Sequence, residues 1–96
     1  MFTLRFGWNR EKAANNFARH GVGFEEATAV FDDDFAAIQA DEEHSSYERR
    51  YNIIGSSGER LLFVIYTERE DGVLWLISAR EVEPYEKKSY YEGFAE

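Results

Sequence analysis

The order of elements readable along the chain is that of an α+β domain: a strand, two helices, an antiparallel sheet of three to four further strands, and a C-terminal helix. Three observations carry this expectation. Apolar residues recur at helical spacing before residue 32 and alternate with period two after residue 35. Turn sequences separate the later strands, and the only proline, Pro84, stands where a last helix would begin.

Phe2, Leu4 and Phe6 alternate with Thr3 and Arg5, the pattern of a short strand over residues 2–6. Gly7-Trp8-Asn9 closes it, and Asn9 is placed to N-cap a helix running to about Arg19. Ala13, Ala14, Phe17 and Ala18 form the apolar stripe of that helix, with Lys12, Asn16 and Arg19 on the opposite, polar face. Gly21 stops it. Phe24, Ala27, Val30 and Phe31 mark a second helix, which ends at Asp32-Asp33-Asp34 because carboxylates are unfavourable at the negative end of a helix dipole.

Residues 35–40 read as a weak strand, 41–46 as an acidic loop and 47–54 as a stronger strand. Alternation puts Tyr47, Arg49, Tyr51 and Ile53 on one face and Glu48, Arg50, Asn52 and Ile54 on the other. Gly55-Ser56-Ser57-Gly58 is a turn, and 61–67 the most apolar strand. Glu70-Asp71-Gly72 offers a hairpin into a strand over 73–80, with Leu74, Leu76, Ser78 and Arg80 sharing one face and Val73, Trp75, Ile77 and Ala79 the other. Pro84 then opens a helix over roughly residues 84–92.

At 96 residues, with no linker, repeat or low-complexity tract, residues 1–96 are expected to form a single domain. A content of 44% hydrophobic and 17% aromatic residues is enough for a core, which excludes wholesale disorder. There is no cysteine, so disulfides and thiolate metal sites are ruled out, and a reducing compartment fits. The longest apolar run, residues 61–66, is far below the roughly 20 residues of a membrane span. No signal-peptide pattern opens the sequence, so a cytoplasmic location without membrane association is expected.

Eleven Lys and Arg stand against 19 Asp and Glu, a formal net charge of −8. That balance argues against non-specific nucleic-acid binding, which needs clustered cations. No Lys or Arg lies between Arg19 and Arg49, whereas nine carboxylates do, so this stretch is either a docking face for a basic partner or a solvated acidic surface. His20 and His44 lack the spacing of a zinc motif, the aspartate run lacks a calcium-loop pattern, and no glycine-rich phosphate loop precedes a helix. No metal or cofactor is expected.

The residues with chemical potential are Arg19, His20, Glu48, Arg50 and Arg80. Metal-free RNA cleavage needs a base for the 2′-hydroxyl, an acid for the leaving oxygen and cations for the charge that builds on the phosphate. Glu or His can be base and acid, and Arg forks suit phosphate oxygens. Each residue also has a plain structural reading. His20 can be a cation at a helix end, Glu48 and Arg50 an ion pair, and Arg80 a partner of Glu81 or Glu83.

Three segments carry a resemblance to a known family: FGWNREKAANNFARHGVGFEEATAVFDD, HSSYERRYNIIGSSGERLLFVIYTER and LISAREVEPYEKKSYYEG. In order and spacing they resemble the BrnT toxins of bacterial type II toxin–antitoxin systems. The resemblance implies a RelE-like fold and an endoribonuclease that inhibits translation. It further implies neutralisation by a BrnA-like ribbon-helix-helix antitoxin, through which alone operator DNA is reached. By matched motif, the implied site is Arg19 and His20 from the basic-His-Gly segment, Glu48 and Arg50 from Glu-x-Arg-Tyr, and Arg80 from Ile-Ser-Ala-Arg.

On that reading Glu48 is the base, His20 the acid, and Arg19, Arg50 and Arg80 hold the phosphate, with base and acid exchangeable. The chain departs from the family at Arg19, where Lys is usual, and after Arg80, where Glu81, Glu83, Pro84 and Tyr85 replace a basic stretch. Cleavage of free RNA therefore fits better than ribosome-bound cleavage. The alternative function is a catalytically weak or inactive toxin-fold module that acts through its antitoxin and operon repression. A third reading is a stand-alone protein with an acidic docking face.

Overall fold

A computed structural model describes residues 3–43 and 48–93. Its elements are β1 (Phe6–Gly7), α1 (Arg10–His20), α2 (Phe24–Ala27), a 3₁₀ turn (Thr28–Asp32), β2 (Ala37–Ala40), β3 (Arg50–Ser56), β4 (Leu61–Glu68), β5 (Leu74–Glu81) and α3 (Pro84–Glu92). One sheet runs β1-β5-β4-β3-β2. β1 pairs with β5 in parallel, and the other pairs are antiparallel. The α+β order expected above is the order observed.

The local signals act as expected. The Asn9 side chain accepts from Lys12 N–H at 2.9 Å, and Gly21 ends α1 at φ +70°, a left-handed conformation that glycine takes without penalty. Pro84 opens α3 inside a capping box formed by Glu83 and Glu86. Arg60 ties the end of α1 to α2. It donates to the Gly21 carbonyl at 3.0 Å and forms an ion pair with Glu26 at 2.7 Å, which holds the Glu26 carboxyl below its ordinary range.

One sheet face is the core. Ile53, Leu62, Val64, Leu76 and Ala79 are buried there beneath Val22, Phe24, Ala27 and Val30. α3 lies against β3 on the opposite face, where Ile54 is buried. Much of the rest of that second face is half-buried.

Element bounds shift where tertiary contacts intervene. Of the expected first strand over residues 2–6 only Phe6 pairs, and pairing extends to Gly7, because β5 offers partners from Leu74 onward; residues 1 and 2 lie outside the described residues. The second helix tightens to 3₁₀ geometry after Ala27, where the Thr28 hydroxyl donates to the Glu25 carbonyl at 2.8 Å. β2 starts at Ala37 rather than at residue 35, because Asp33 turns the chain by accepting the Phe35 N–H. β3 starts at Arg50 and continues through Gly55, where a Cβ would stand 3.0 Å from both the Val30 Cβ and the Val30 carbonyl oxygen. The turn moves to 57–60, and Tyr47 lies outside the described residues.

Two larger corrections concern facing. On α1 the expected apolar stripe packs against the core only at Ala13: Asn16 is 8% exposed, whereas Phe17 is 59% exposed. On β5 strict alternation is broken by a bulge. Ile65 faces Ser78 but Tyr66 faces Leu76, so Ile77 has no opposite partner. The extra residue places Ala79 with Leu74 and Leu76 on the core side and turns Ser78 and Arg80 to the other face.

Asp33 is a hub between the 3₁₀ turn, β3 and α3. Its carboxylate accepts from Phe35 N–H, from Ser56 N–H at 2.8 Å and from the Tyr90 hydroxyl at 2.7 Å. Burial pushes the Asp33 carboxyl up, but these donors outweigh it and hold the group below its ordinary 3.8. Tyr90, bonded to that carboxylate, is pushed up to about 12. A depressed carboxyl contributes stability above pH 3.8 that is lost as pH falls through the folded-state value. A raised phenol contributes below its ordinary 10.0 and loses the contribution as pH rises toward 12. Urea unfolding across pH is expected to show both limbs, with Tyr90→Phe weakening both; burial also raises the Tyr66 phenol, which keeps part of the alkaline one.

Candidate functional site

β5 is an outer strand for most of its length, because β1 pairs with it only at Leu74 and Trp75. Beyond Trp75 its edge would present unpaired amide and carbonyl groups. Asn16 of α1 covers that edge. Its Nδ2 donates to the Ala79 carbonyl at 2.8 Å and the Val22 carbonyl at 3.1 Å, and its Oδ1 accepts from the Ala79 N–H at 3.2 Å. A carboxamide carries two donor hydrogens and an acceptor oxygen, so one side chain here replaces a neighbouring strand. This is why α1 turns a polar residue inward and leaves Phe17 outside.

Pinned in this way, α1 and the bulged part of β5 leave a cleft of about 200 Å³ lined by Lys12, Asn15, Arg19, His20, Ile77 and Ser78. Arg19 and His20 sit in the last turn of α1, where a cation also meets the negative end of the helix dipole. Among the described residues, the side chains of Lys12, Arg19 and His20 form no ion pair or hydrogen bond. The bulge sets Ser78 toward them. Clefts elsewhere each contain a carboxylate: Glu48, Glu68, Glu70 and Asp71 beside Arg69 in one, Glu81 beside Arg60 and Lys87 in another, and Asp32 and Asp33 in a third.

On the sheet face away from the core, Ser78, Ile65, Asn52 and Gln39 form a cross-strand row. Arg80 opposite Phe63 and Arg50 opposite Thr67 occupy the rows on either side. The two arginines therefore rise from one face, diagonally across Ile65, with their partner positions about 13 Å apart along β4. Arg50 Nε stands 3.8 Å from Glu48 Oε1, and Glu48 just precedes β3.

Arg80 is held more tightly. Its guanidinium lies 4.5 Å over the Phe63 ring and meets Glu86 through two hydrogen bonds of 2.9 and 2.8 Å. Glu86 also accepts the Glu83 N–H at 2.8 Å. Burial pushes the Glu86 carboxyl up, yet Arg80 and the Glu83 N–H together bring it below its ordinary range, and the same contact raises Arg80. Glu86→Gln keeps the side-chain shape but removes the charge. Loss of about 2 kcal/mol is expected in urea unfolding, the magnitude of a charge-assisted hydrogen bond.

The five residues singled out in the sequence thus fall into two groups. Arg19 and His20 share a cleft with Ser78, which lies two residues before Arg80 on β5. Glu48 and Arg50 form a pair two strands away, roughly 10 Å across the sheet. Arg80 forms its ion pair with Glu86 rather than with the carboxylates of Glu81 or Glu83, and also donates to the Glu81 carbonyl at 3.1 Å. His44 lies outside the described residues. Lys12, Asn15, Ser78 and Glu86 were not singled out. Lys12 lies seven residues before Arg19 on one helix face, and Glu86 lies three after the capping Glu83, so both spacings were present in the sequence. Among the described residues, no three His, Asp or Glu side chains cluster as metal ligands, and no helix is long and apolar enough to cross a membrane.

The one-sheet α+β fold thus gathers Lys12, Arg19 and His20 at one strand edge and sets Arg50 and Arg80 on one sheet face. The family model described as "Ribonuclease toxin, BrnT, of type II toxin-antitoxin system" matches residues 8–86. The chain belongs to the BrnT family. It is similar in fold to the crystal structure of the Brucella abortus ribonuclease toxin BrnT. The TM-score is 0.62 at 21% identity, over 84% of this chain and 99% of that one. No match was found among curated proteins.

Proposed function

We propose that the chain is a metal-independent endoribonuclease acting in the cytoplasm to inhibit translation, held inactive by a BrnA-like ribbon-helix-helix antitoxin. The observation that supports this most directly is the Arg19–His20 cleft, where cations without carboxylate partners face solvent in a protein of net charge −8. Focused positive charge of this kind attracts a polyanion against an unfavourable long-range field. Operator DNA is reached only through the antitoxin.

In the proposed reaction the RNA 2′-oxygen attacks the adjacent phosphorus and the bond to the 5′-oxygen breaks. The products are a 2′,3′-cyclic phosphate and a free 5′-hydroxyl. Glu48 takes the 2′-hydroxyl proton and His20 gives one to the departing 5′-oxygen, or the two exchange roles. Arg19, Arg50 and Arg80 balance charge on the phosphate. Because β4 separates the two groups, the scissile nucleotide would lie across Ile65, with Asn52 and Ser78 on either side.

A cleavage assay on purified protein in EDTA, with single-stranded RNA as substrate, tests this. Cleavage that needs His20 and Arg80 supports the assignment, and undiminished cleavage by both His20→Ala and Arg80→Ala removes it. One observation favours the second reading, a binding module: Glu86 already occupies the fork of Arg80. Harmless induced expression together with tight antitoxin binding would select that reading, whereas growth arrest that depends on His20 selects the enzyme.

A further inference from the structure

We infer that the α1–β5 cleft is a second backbone-phosphate subsite for single-stranded RNA, in which Lys12 holds a phosphate next to the one at Arg19 and His20. The inference rests on the ribonuclease reading above and extends it to a residue outside the five implied by the family motifs.

Three observations lead to Lys12. It lines the same cleft as Arg19 and His20, and no carboxylate lines that cleft. Arg49, Arg50, Arg60 and Arg80 each stand within 4 Å of a carboxylate, whereas Lys12, Arg19 and His20 do not among the described residues. Arg5, Arg10, Arg69, Lys87 and Lys88 also form no ion pair among the described residues, but Lys12 and Arg19 stand together with His20 in one cleft that no carboxylate lines, an arrangement that favours an anion supplied from outside.

Helix geometry sets the class of ligand. Lys12 and Arg19 are seven residues apart, about 10 Å along the axis of α1. That spacing suits two neighbouring phosphates of one strand better than two oxygens of a single phosphate. Ile77 adds an apolar surface to the same cleft and Ser78 a hydroxyl, which suit the carbon face and the hydroxyls of a ribose. The wall is rigid before RNA arrives, since the three hydrogen bonds of Asn16 fix α1 on Ala79 and Val22.

The subsite makes Lys12 a substrate contact outside the bond-breaking steps. Its removal should weaken binding without slowing the chemistry of bound RNA. Lys12→Gln is the informative substitution, because the side chain is exposed and its ammonium makes no hydrogen bond among the described residues, so folding is left intact. Binding is read by fluorescence anisotropy with a labelled eight-nucleotide single-stranded RNA fully 2′-O-methylated, which lacks the nucleophile and cannot be cut. Cleavage is read separately on the unmodified oligonucleotide.

The expected result is 5–20-fold weaker binding by Lys12→Gln, the order of one phosphate contact, and a salt dependence shallower by about 0.7 in slope. KM should rise by a similar factor while kcat stays within about twofold, and Lys12→Arg should restore both. Equal affinity and equal salt slope for wild type and Lys12→Gln would overturn the subsite even if the wild type cleaves RNA. Failure of the wild type to cleave, with the binding difference intact, would instead sink the ribonuclease reading and leave the subsite standing.

Discussion

Replacing His20 by Ala is expected to cut RNA cleavage by about 10²–10⁴-fold, the usual contribution of a positioned acid or base. Its folding cost should be small. The imidazole is exposed at the end of α1 and makes no hydrogen bond among the described residues, so only its favourable contact with the helix dipole is lost. That contact is worth about 0.3–1 kcal/mol. The two roles of His20 therefore predict different measurements. A structural cation at a helix end would move the urea midpoint slightly and leave the rate per folded molecule unchanged. A catalytic group would do the reverse. Measuring kcat and unfolding on the same preparation separates them, and a variant with full kcat would remove His20 from the chemistry.

Replacing Asn16 by Leu, of similar size, should destabilise the domain by about 3–9 kcal/mol. The estimate comes from leaving the Ala79 N–H, the Ala79 carbonyl and the Val22 carbonyl without partners, at about 1–3 kcal/mol for each buried orphan. Domains of this size have only about 5–15 kcal/mol to lose. Asn16→Asp should do little better. It keeps an acceptor for the Ala79 N–H but sets a carboxylate against two carbonyl oxygens that now receive no donor. Both variants should also lose RNA binding, because α1 carries Lys12, Arg19 and His20 and is no longer fixed to β5. Urea unfolding followed by far-UV circular dichroism checks the first effect. A cost below about 1 kcal/mol for Asn16→Leu would mean that water serves the β5 edge well enough without the carboxamide.

The candidate site was readable in the sequence as a set of residue types but not as an arrangement. Arg19 and His20 could be placed together because they are adjacent and precede Gly21. Glu48 and Arg50 could be placed on one side because a strand alternates, and they do approach one another. Arg80 was placed on the face of Leu74 and Leu76, which the bulge at Ile77 overturns. The same bulge brings Ser78 to the cleft. Nothing in residues 73–80 taken alone distinguishes a regular strand from one that slips by a residue, since Val73 to Ile77 are all apolar and mark neither face. Glu86 as the partner of Arg80 was missed for a related reason: Glu81 and Glu83 are closer along the chain, but only Glu86 is carried by the first turn of α3 across the arginine fork.

What the sequence determined without help was local. Asn9 as a cap, Gly21 in the left-handed region, Pro84 at the start of α3 and the order of strands and helices all depend on residues within about four positions of one another. Tertiary structure alone decided which side of α1 faces inward and which face of the sheet receives the cations. The deciding contact joins Asn16 to Ala79, 63 residues apart. Hydrophobic periodicity points Phe17 at the core, but an outer strand with unpaired amides has a stronger claim on the helix packed beside it. Meeting that claim is what turns Lys12, Arg19 and His20 toward the cleft.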